Sequence, residues 1–186
     1  MGLIFVHNND SDILSVVRRN TSAGFRLLLE KYQEPVYWHI RRLTVIHADA
    51  QDAMQETFMR AYLGISRLRG GDVTLQAWIF RIATNEALRI IERRRTDSVS
   101  IDDDDALAVH QLAADQYVDY SDLEAIRLQR AIQTLPPKQK IAFSLRYYED
   151  MDYQTIAQVT DSTPAKVKAN YHTAKEKIIK YLNSHD

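Results

Sequence analysis

Residues 153–182 read YQTIAQVTDSTPAKVKANYHTAKEKIIKYL, and their spacing decides the fold. A short amphipathic stretch over 153–160 offers Ile156, Ala157 and Val159 for packing, and Asp161-Ser162-Thr163 then forms a tight turn. Pro164 starts a second helix, in which Val167, Tyr171, Ala174 and Ile178 recur at steps of four, three and four. A small residue where two helices cross, a turn residue tolerant of left-handed φ and a β-branched anchor together make a helix-turn-helix. The turn position commonly holds Gly; Asp161 stands there instead, and Asp adopts that conformation more readily than most residues.

Away from its apolar stripe the second helix carries Ala165, Lys168, Ala169, His172 and Thr173, flanked by Lys166, Asn170 and Lys175. Short side chains permit close approach to a major groove, His and Thr can meet base edges, and Lys binds phosphate. The pattern predicts a DNA-reading face on this helix.

Upstream, 121–134 opens with Ser121-Asp122 as capping residues and runs through Leu123, Ile126, Leu128 and Ile132. Leu135-Pro136-Pro137 ends that helix, and Pro137 suits the first turn of the next, which passes through Ile141, Ala142, Leu145 and Tyr148. Before these lies 96–120, with seven acidic residues, Asp102–Asp105 among them, and no Lys or Arg. Like charges repel and extend a chain, so this stretch reads as a tether between two modules. Residues 1–95 carry 14 Lys and Arg against 10 Asp and Glu, and residues 121–186 carry 10 against 8, so the net charges are +4, −7 and +2 along the chain.

Within 1–95 three amphipathic helices are expected. The first covers 22–44 through Phe25, Leu28, Leu29, Tyr32, Val36 and Ile40, with Pro35 as a point of bending. A turn at His47-Ala48-Asp49 makes Asp49 the N-cap of the second, which runs through Ala50, Ala53, Met54, Phe58, Ala61, Tyr62 and Ile65. Gly70-Gly71 supplies a turn, and the third covers about 74–94 through Ile79, Ile82, Ala83, Ala87, Ile90 and Ile91. Trp78, Arg81, Asn85 and Arg89 make one stripe on it, continued by Arg93 and Arg94; an aromatic ring, guanidinium groups and an amide at this spacing suit single-stranded DNA.

The chain is therefore expected to be all-α, with two helical domains, 1–95 and 121–186, joined by the acidic segment 96–120. Only 5 Gly and 4 Pro in 186 residues disfavour a many-stranded β fold. The absence of Cys removes thiolate catalysis and Cys-based metal sites, and the residue patterns give no metal and no cofactor. No run of about 18 apolar residues and no export signal is present, which predicts a cytoplasmic protein without membrane insertion. His39 and His47 beside Glu30 and Glu34 conceive a metal site, but neither HExxH nor a two-metal carboxylate spacing accompanies them.

Three segments taken together, DAQDAMQETFMRAYLGI (49–65), AWIFRIATNEALRIIERRR (77–95) and LPPKQKIAFSLRYYEDMDYQTIAQVTDSTPAKVKANYHTAKEKI (135–178), resemble the extracytoplasmic-function class of bacterial sigma factors in the sigma-70 family. The likeness covers about 25–182 in the family's order and spacing. It implies a region 2-like module that docks on the clamp of core RNA polymerase and opens the minus-ten element, and a region 4-like module that reads the minus-thirty-five element of promoter DNA. By this resemblance Asp49, Asp52, Gln55, Glu56 and Phe58 face the clamp. Leu68, Arg69 and Gly70 form the loop that captures a flipped base, with Trp78, Arg81, Asn85, Arg89, Arg93 and Arg94 along the melted strand. Ala165, Lys166, Lys168, Ala169, Asn170, His172, Thr173 and Lys175 meet the upstream element.

The chain departs from the family pattern in two places. Leu68 stands where an aromatic is frequent, and Asn170, Thr173 and Lys175 stand where several Arg are common. The resemblance also implies a linker that threads the polymerase active-site cleft and RNA exit channel; separately, the charge of Asp102–Asp105 is expected to discourage binding of the free protein to DNA by repelling phosphate. An anti-sigma factor is a common partner in the family, and no catalysis is implied. The alternative is a helix-turn-helix regulator that is not a polymerase subunit; such a protein has no need of the 49–65 and 77–95 segments.

Overall fold

A computed structural model describes residues 9–68, 73–97 and 123–184. These form eight α-helices and one 3-10 turn, with no strand among the described residues. In chain order they are α1 (Asp10–Arg19), α2 (Thr21–Thr44), α3 (His47–Gly64), the 3-10 turn Ile65–Arg67, α4 (Leu75–Asp97), α5 (Leu123–Gln133), α6 (Pro137–Tyr147), α7 (Tyr153–Thr160) and α8 (Pro164–Ser184). Arg69, Gly70 and most of the expected tether, Asp102–Asp105 included, lie outside the described residues.

Helix α1 was not expected. It is short, and only Ile13 and Val17 are buried, so its periodicity is brief. It packs on the start of α2, where the Asn20 side chain caps the helix by accepting from Ala23 N at 3.0 Å. Gly24 lets the two backbones meet: a Cβ there would lie 2.6 Å from Val17 N and 2.7 Å from Val17 Cα. Helix α2 continues through Pro35, which costs it one i to i−4 hydrogen bond.

Helix α2 stops at Val45, which has φ 65°, a strained value for a β-branched residue. Burial of Val45 against Trp38 and Ile46 offsets that strain. The start of α3 differs from expectation. The helix begins at His47 with Ile46 as its flanking residue and no side-chain cap, so Asp49 is in the first turn and not the N-cap. Its charge still favours the N-terminal end of the helix dipole. Tyr62, expected inward, is exposed and packs edge-to-face on Phe25 at 5.1 Å. Helix α4 runs to Asp97, two residues into the stretch read as tether.

One apolar cluster runs through both halves of the chain. Leu28, Val36 and Ile40 of α2, Ala53 and Ala61 of α3 and Ile79, Phe80, Ala83 and Ala87 of α4 share it with Ile141 and Leu145 of α6, Ile156 and Val159 of α7 and Val167 of α8. A second cluster holds α5, α6 and α8 together through Ala131, Ile132, Leu135, Phe143, Ala174 and Ile178. Near the centre His39 is fully buried; its Nε2 is 2.8 Å from Thr84 Oγ1 and its ring 5.3 Å from Phe80. Burial, with the Arg42 charge adding to it, lowers the His39 pKa from 6.5 to about 3.

Two outcomes follow. Gly24→Ala forces α1 away from α2 and lowers unfolding free energy by about 1–3 kcal/mol in denaturant titration. For His39 the folded pKa lies below the unfolded one, so its contribution is complete above pH 6.5 and is lost as pH falls toward about 3. The urea midpoint should therefore decline over that window, and His39→Leu should flatten the decline, because Thr84 Oγ1 keeps its 2.7 Å bond to Phe80 O.

Candidate nucleic-acid interface

Helices α7 and α8 form the expected bihelical unit. Asp152 caps α7 by accepting from Thr155 N at 2.7 Å, and that hydrogen bonding lowers its carboxyl pKa. Asp161 follows α7 with φ 50° and ψ 52°, the left-handed conformation, and its N–H donates to Ala157 O. Ser162 N donates to the same carbonyl at 3.0 Å, which closes the helix end. Thr163 Oγ1 then accepts from Lys166 N at 3.3 Å at the start of α8.

Burial of Val167, Ala174 and Ile178 fixes the rotation of α8. Tyr171 is wedged between Phe143 at 5.9 Å and Tyr153 at 6.1 Å. That rotation leaves Ala165, Lys166, Lys168, Ala169, His172 and Lys175 exposed, with Asn170 and Thr173 at the edges of the same face. These are groups of both kinds a major groove needs, small and cationic, on one solvent-facing strip.

The α4 stripe is more constrained. Asn85 and Arg89 are exposed and Arg81 is half-buried, while Trp78 is packed at the edge of the core against Gly64. Leu68 also packs against the core. Glu86 is buried within the stripe and binds Arg60 of α3 at 2.9 Å and Arg89 at 3.4 Å. Arg60 in turn reaches Glu56 at 2.8 Å, and Arg94 reaches Asp49 at 3.7 Å. On α3, Asp52 and Gln55 are exposed, whereas Phe58 is 8% exposed and belongs to the core, so it positions the helix and offers no open contact surface. Met59 and Leu63, which the sequence reading did not single out, are 56% and 68% exposed on this helix.

The two faces meet. A cleft of about 640 Å³ opens along the seam where α4 packs on the C-terminal helices, with Arg81 and Asn85 on one side and Lys138, Lys166 and Asn170 on the other. Arg81 spans it to Asp161 at 3.6 Å. Behind the cleft, Arg42 at the end of α2 binds Glu149 at 2.9 Å and lies 3.9 Å above the Tyr148 ring. Sequence reading gave Arg42 and Glu149 no role; they are 107 residues apart. His39 and His47 serve separate partners, Thr84 and the Tyr37 hydroxyl.

Comparison with known proteins agrees with this geometry. The sigma-70 region 2 model matches residues 28–96, and the sigma-70 region 4 model matches residues 125–178. The RNA polymerase sigma-H factor of Pseudomonas aeruginosa is 28% identical over 187 residues, covering 96% of each chain. The ECF RNA polymerase sigma-E factor of Escherichia coli is 27% identical over 177 residues, covering 91% of this chain and 92% of that one. Among solved structures, CnrH in complex with the cytosolic domain of CnrY superposes with a TM-score of 0.72 at 16% identity, covering 95% of this chain and 99% of CnrH. The sigma factor RpoE from Bartonella quintana, in complex with the anti-sigma factor NepR, gives 0.67 at 19% identity, covering 86% and 96%. With both regions present in order in one all-helical chain, the protein belongs to the sigma-70 family, in its extracytoplasmic-function class.

Proposed function

We propose that this chain works as a sigma factor that directs core RNA polymerase to particular promoters and opens them. The observation that carries the reading is that sigma-70 regions 2 and 4 lie in order in one chain, at 28–96 and 125–178, with the groove-facing strip of α8 exposed. A helix-turn-helix regulator that is not a polymerase subunit leaves the region 2 match without a purpose. In this reading 1–95 is the clamp and minus-ten module, 96–120 the tether and 121–186 the minus-thirty-five module. The protein works in the cytoplasm, as a DNA-binding subunit and not as an enzyme. No helix among the described residues is long and apolar enough to cross a membrane.

Asp52 and Gln55 are the exposed polar groups of α3 for the clamp, with Asp49 and Glu56 partly engaged by Arg94 and Arg60. Asn85 and Arg89 meet the melted strand, with Arg93, Arg94 and Arg81 binding phosphate and Arg69 and Gly70 completing the loop beside Leu68. On α8, Lys166, Lys168 and Lys175 bind backbone phosphates, and Asn170, His172 and Thr173 meet base edges that Ala165 and Ala169 allow to approach. An anti-sigma factor is a further partner, in keeping with the complexes described for CnrH and for the Bartonella protein.

Addition of the purified chain to core polymerase should yield promoter-specific transcripts from genomic templates. DNA binding without association with core, and without new transcripts, would favour the regulator instead. In the reconstituted holoenzyme, Lys166→Ala or Lys168→Ala should weaken promoter binding on all sequences alike, and each should reduce the salt slope by about 1. Asn85→Ala should slow strand opening, read with a fluorescent base in the minus-ten element, while leaving duplex association intact.

A further inference from the structure

The cleft beside α4, at about 640 Å³, has the size of a small-molecule site, for which roughly 300–1,000 Å³ is usual. A duplex, whose major groove alone is about 12 Å wide, cannot enter it. Its lining is divided by chemistry. Leu88, Ile141, Ala142 and Val159 give it apolar surface, and Asn85 and Asn170 bring side-chain amides from its two sides. Arg81, Lys138 and Lys166 bring three cations, against which Asp161 is the one carboxylate among the described lining residues.

We propose that this cleft is a binding site for a nucleoside polyphosphate, with Lys138, Lys166 and Arg81 holding the phosphates and the base lying against the apolar lining. Charge balance is the first argument. Asp161 faces Arg81 at 3.6 Å with its side chain 85% exposed, so it neutralises that one cation weakly. Neither Lys138 nor Lys166 forms an ion pair among the described residues. Apolar packing of α6, α7 and α8 on α4 thus holds three cations around one concave space, where their fields reinforce one another. An anion that enters relieves this repulsion, and a chain of two or three phosphates carries the charge to match.

The remaining groups favour a nucleoside over bare phosphate. Asn85 and Asn170 each offer an amide donor and an acceptor, the combination that meets a base edge presenting both. Neither amide is engaged by another side chain among the described residues, and the Ser162 hydroxyl is likewise unengaged. Thr84 is different: its hydroxyl is already committed to Phe80 O at 2.7 Å and to His39 Nε2 at 2.8 Å. Apolar surface beside the amides suits a ring, which inorganic phosphate lacks. The cleft shares Arg81, Asn85, Lys166 and Asn170 with the proposed DNA contacts, whereas Lys138 and Ser162 belong to the cleft alone.

Fluorescent ADP titrated into the free full-length protein should bind saturably, with Kd below about 1 mM. Lys138→Ala should weaken binding about fivefold, and Ser162→Asp, which sets a second carboxylate in the cleft, should weaken it about as much or more. Lys168→Ala, on the groove-facing strip of α8 and outside the cleft, should leave the affinity within about twofold. Unlabelled ADP should displace the probe about tenfold more effectively than inorganic pyrophosphate. An azido-ADP should label peptides within 81–88, 138–142 or 159–170. Absence of saturable binding overturns the site. Equal weakening by Lys168→Ala and Lys138→Ala also overturns it, since that marks attraction to the cationic face at large. Pyrophosphate that competes as well as ADP overturns the nucleoside assignment. If Lys138→Ala loses the wild-type circular dichroism, Ser162→Asp is judged by the same criteria, and unchanged affinity in that protein overturns the site. None of these outcomes depends on promoter recognition, which the holoenzyme assay tests separately.

Discussion

Burial of α4 on both flanks is the constraint on which the rest of the structure depends. Ala77, Ala83 and Ala87 allow neighbouring helices to approach α4 closely, and Ile79 and Phe80 fill the space toward α2 and α3. The edge bearing Arg81, Asn85 and Leu88 is left for α7 and the turn after it. The described part of the C-terminal module, 123–184, is of a size at which a single core supplies little stability, about 3–5 kcal/mol. Placing Ile141, Leu145, Ile156 and Val159 in the same cluster as the core of the N-terminal module enlarges the apolar area buried by both. The closed arrangement is what two small helical modules do with apolar surface when nothing else covers it.

The same constraint explains which parts of the molecule were legible in the sequence. Helices α2, α3, α4 and α8 are long enough for a 3.6-residue period to show, and the left-handed turn at Asp161 has a local cause in Asp chemistry. Helix α1 was missed because ten residues with two buried positions make a weak pattern. The start of α3 was misplaced because Asp is a good N-cap by composition, whereas the helix begins at His47 after Ile46, with no side-chain cap. Phe58 was read as a contact residue through the family motif, yet the spacing that links it to Ala50, Ala53 and Ala61 already marked it as core. The Arg42–Glu149 pair had no local signal at all: each is an unremarkable charge on its own helix or loop, and only the tertiary fold brings them together.

The charged residues divide into three physical classes, and the division bears on how DNA would replace the protein's own contacts under the proposed function. Arg81, Arg89 and Arg94 each face a carboxylate, Asp161, Glu86 and Asp49 respectively, at 3.4 to 3.7 Å. These cations keep substantial access to water, and such pairs contribute only about 0–1 kcal/mol each. At Arg81 and Arg94 a phosphate can therefore displace the carboxylate at little cost, and under the proposed function Asp161 and Asp49 act as placeholders on the stripe. Glu86 differs because its burial fixes it between Arg60 and Arg89, so it orients those guanidiniums and does not leave. Arg42 and Glu149 differ again, since their burial, at 8% and 12% exposed, keeps phosphate from either side chain. Under the proposed function, exchange at the exposed pairs tunes DNA affinity, whereas the buried pair holds the C-terminal module in register on α2.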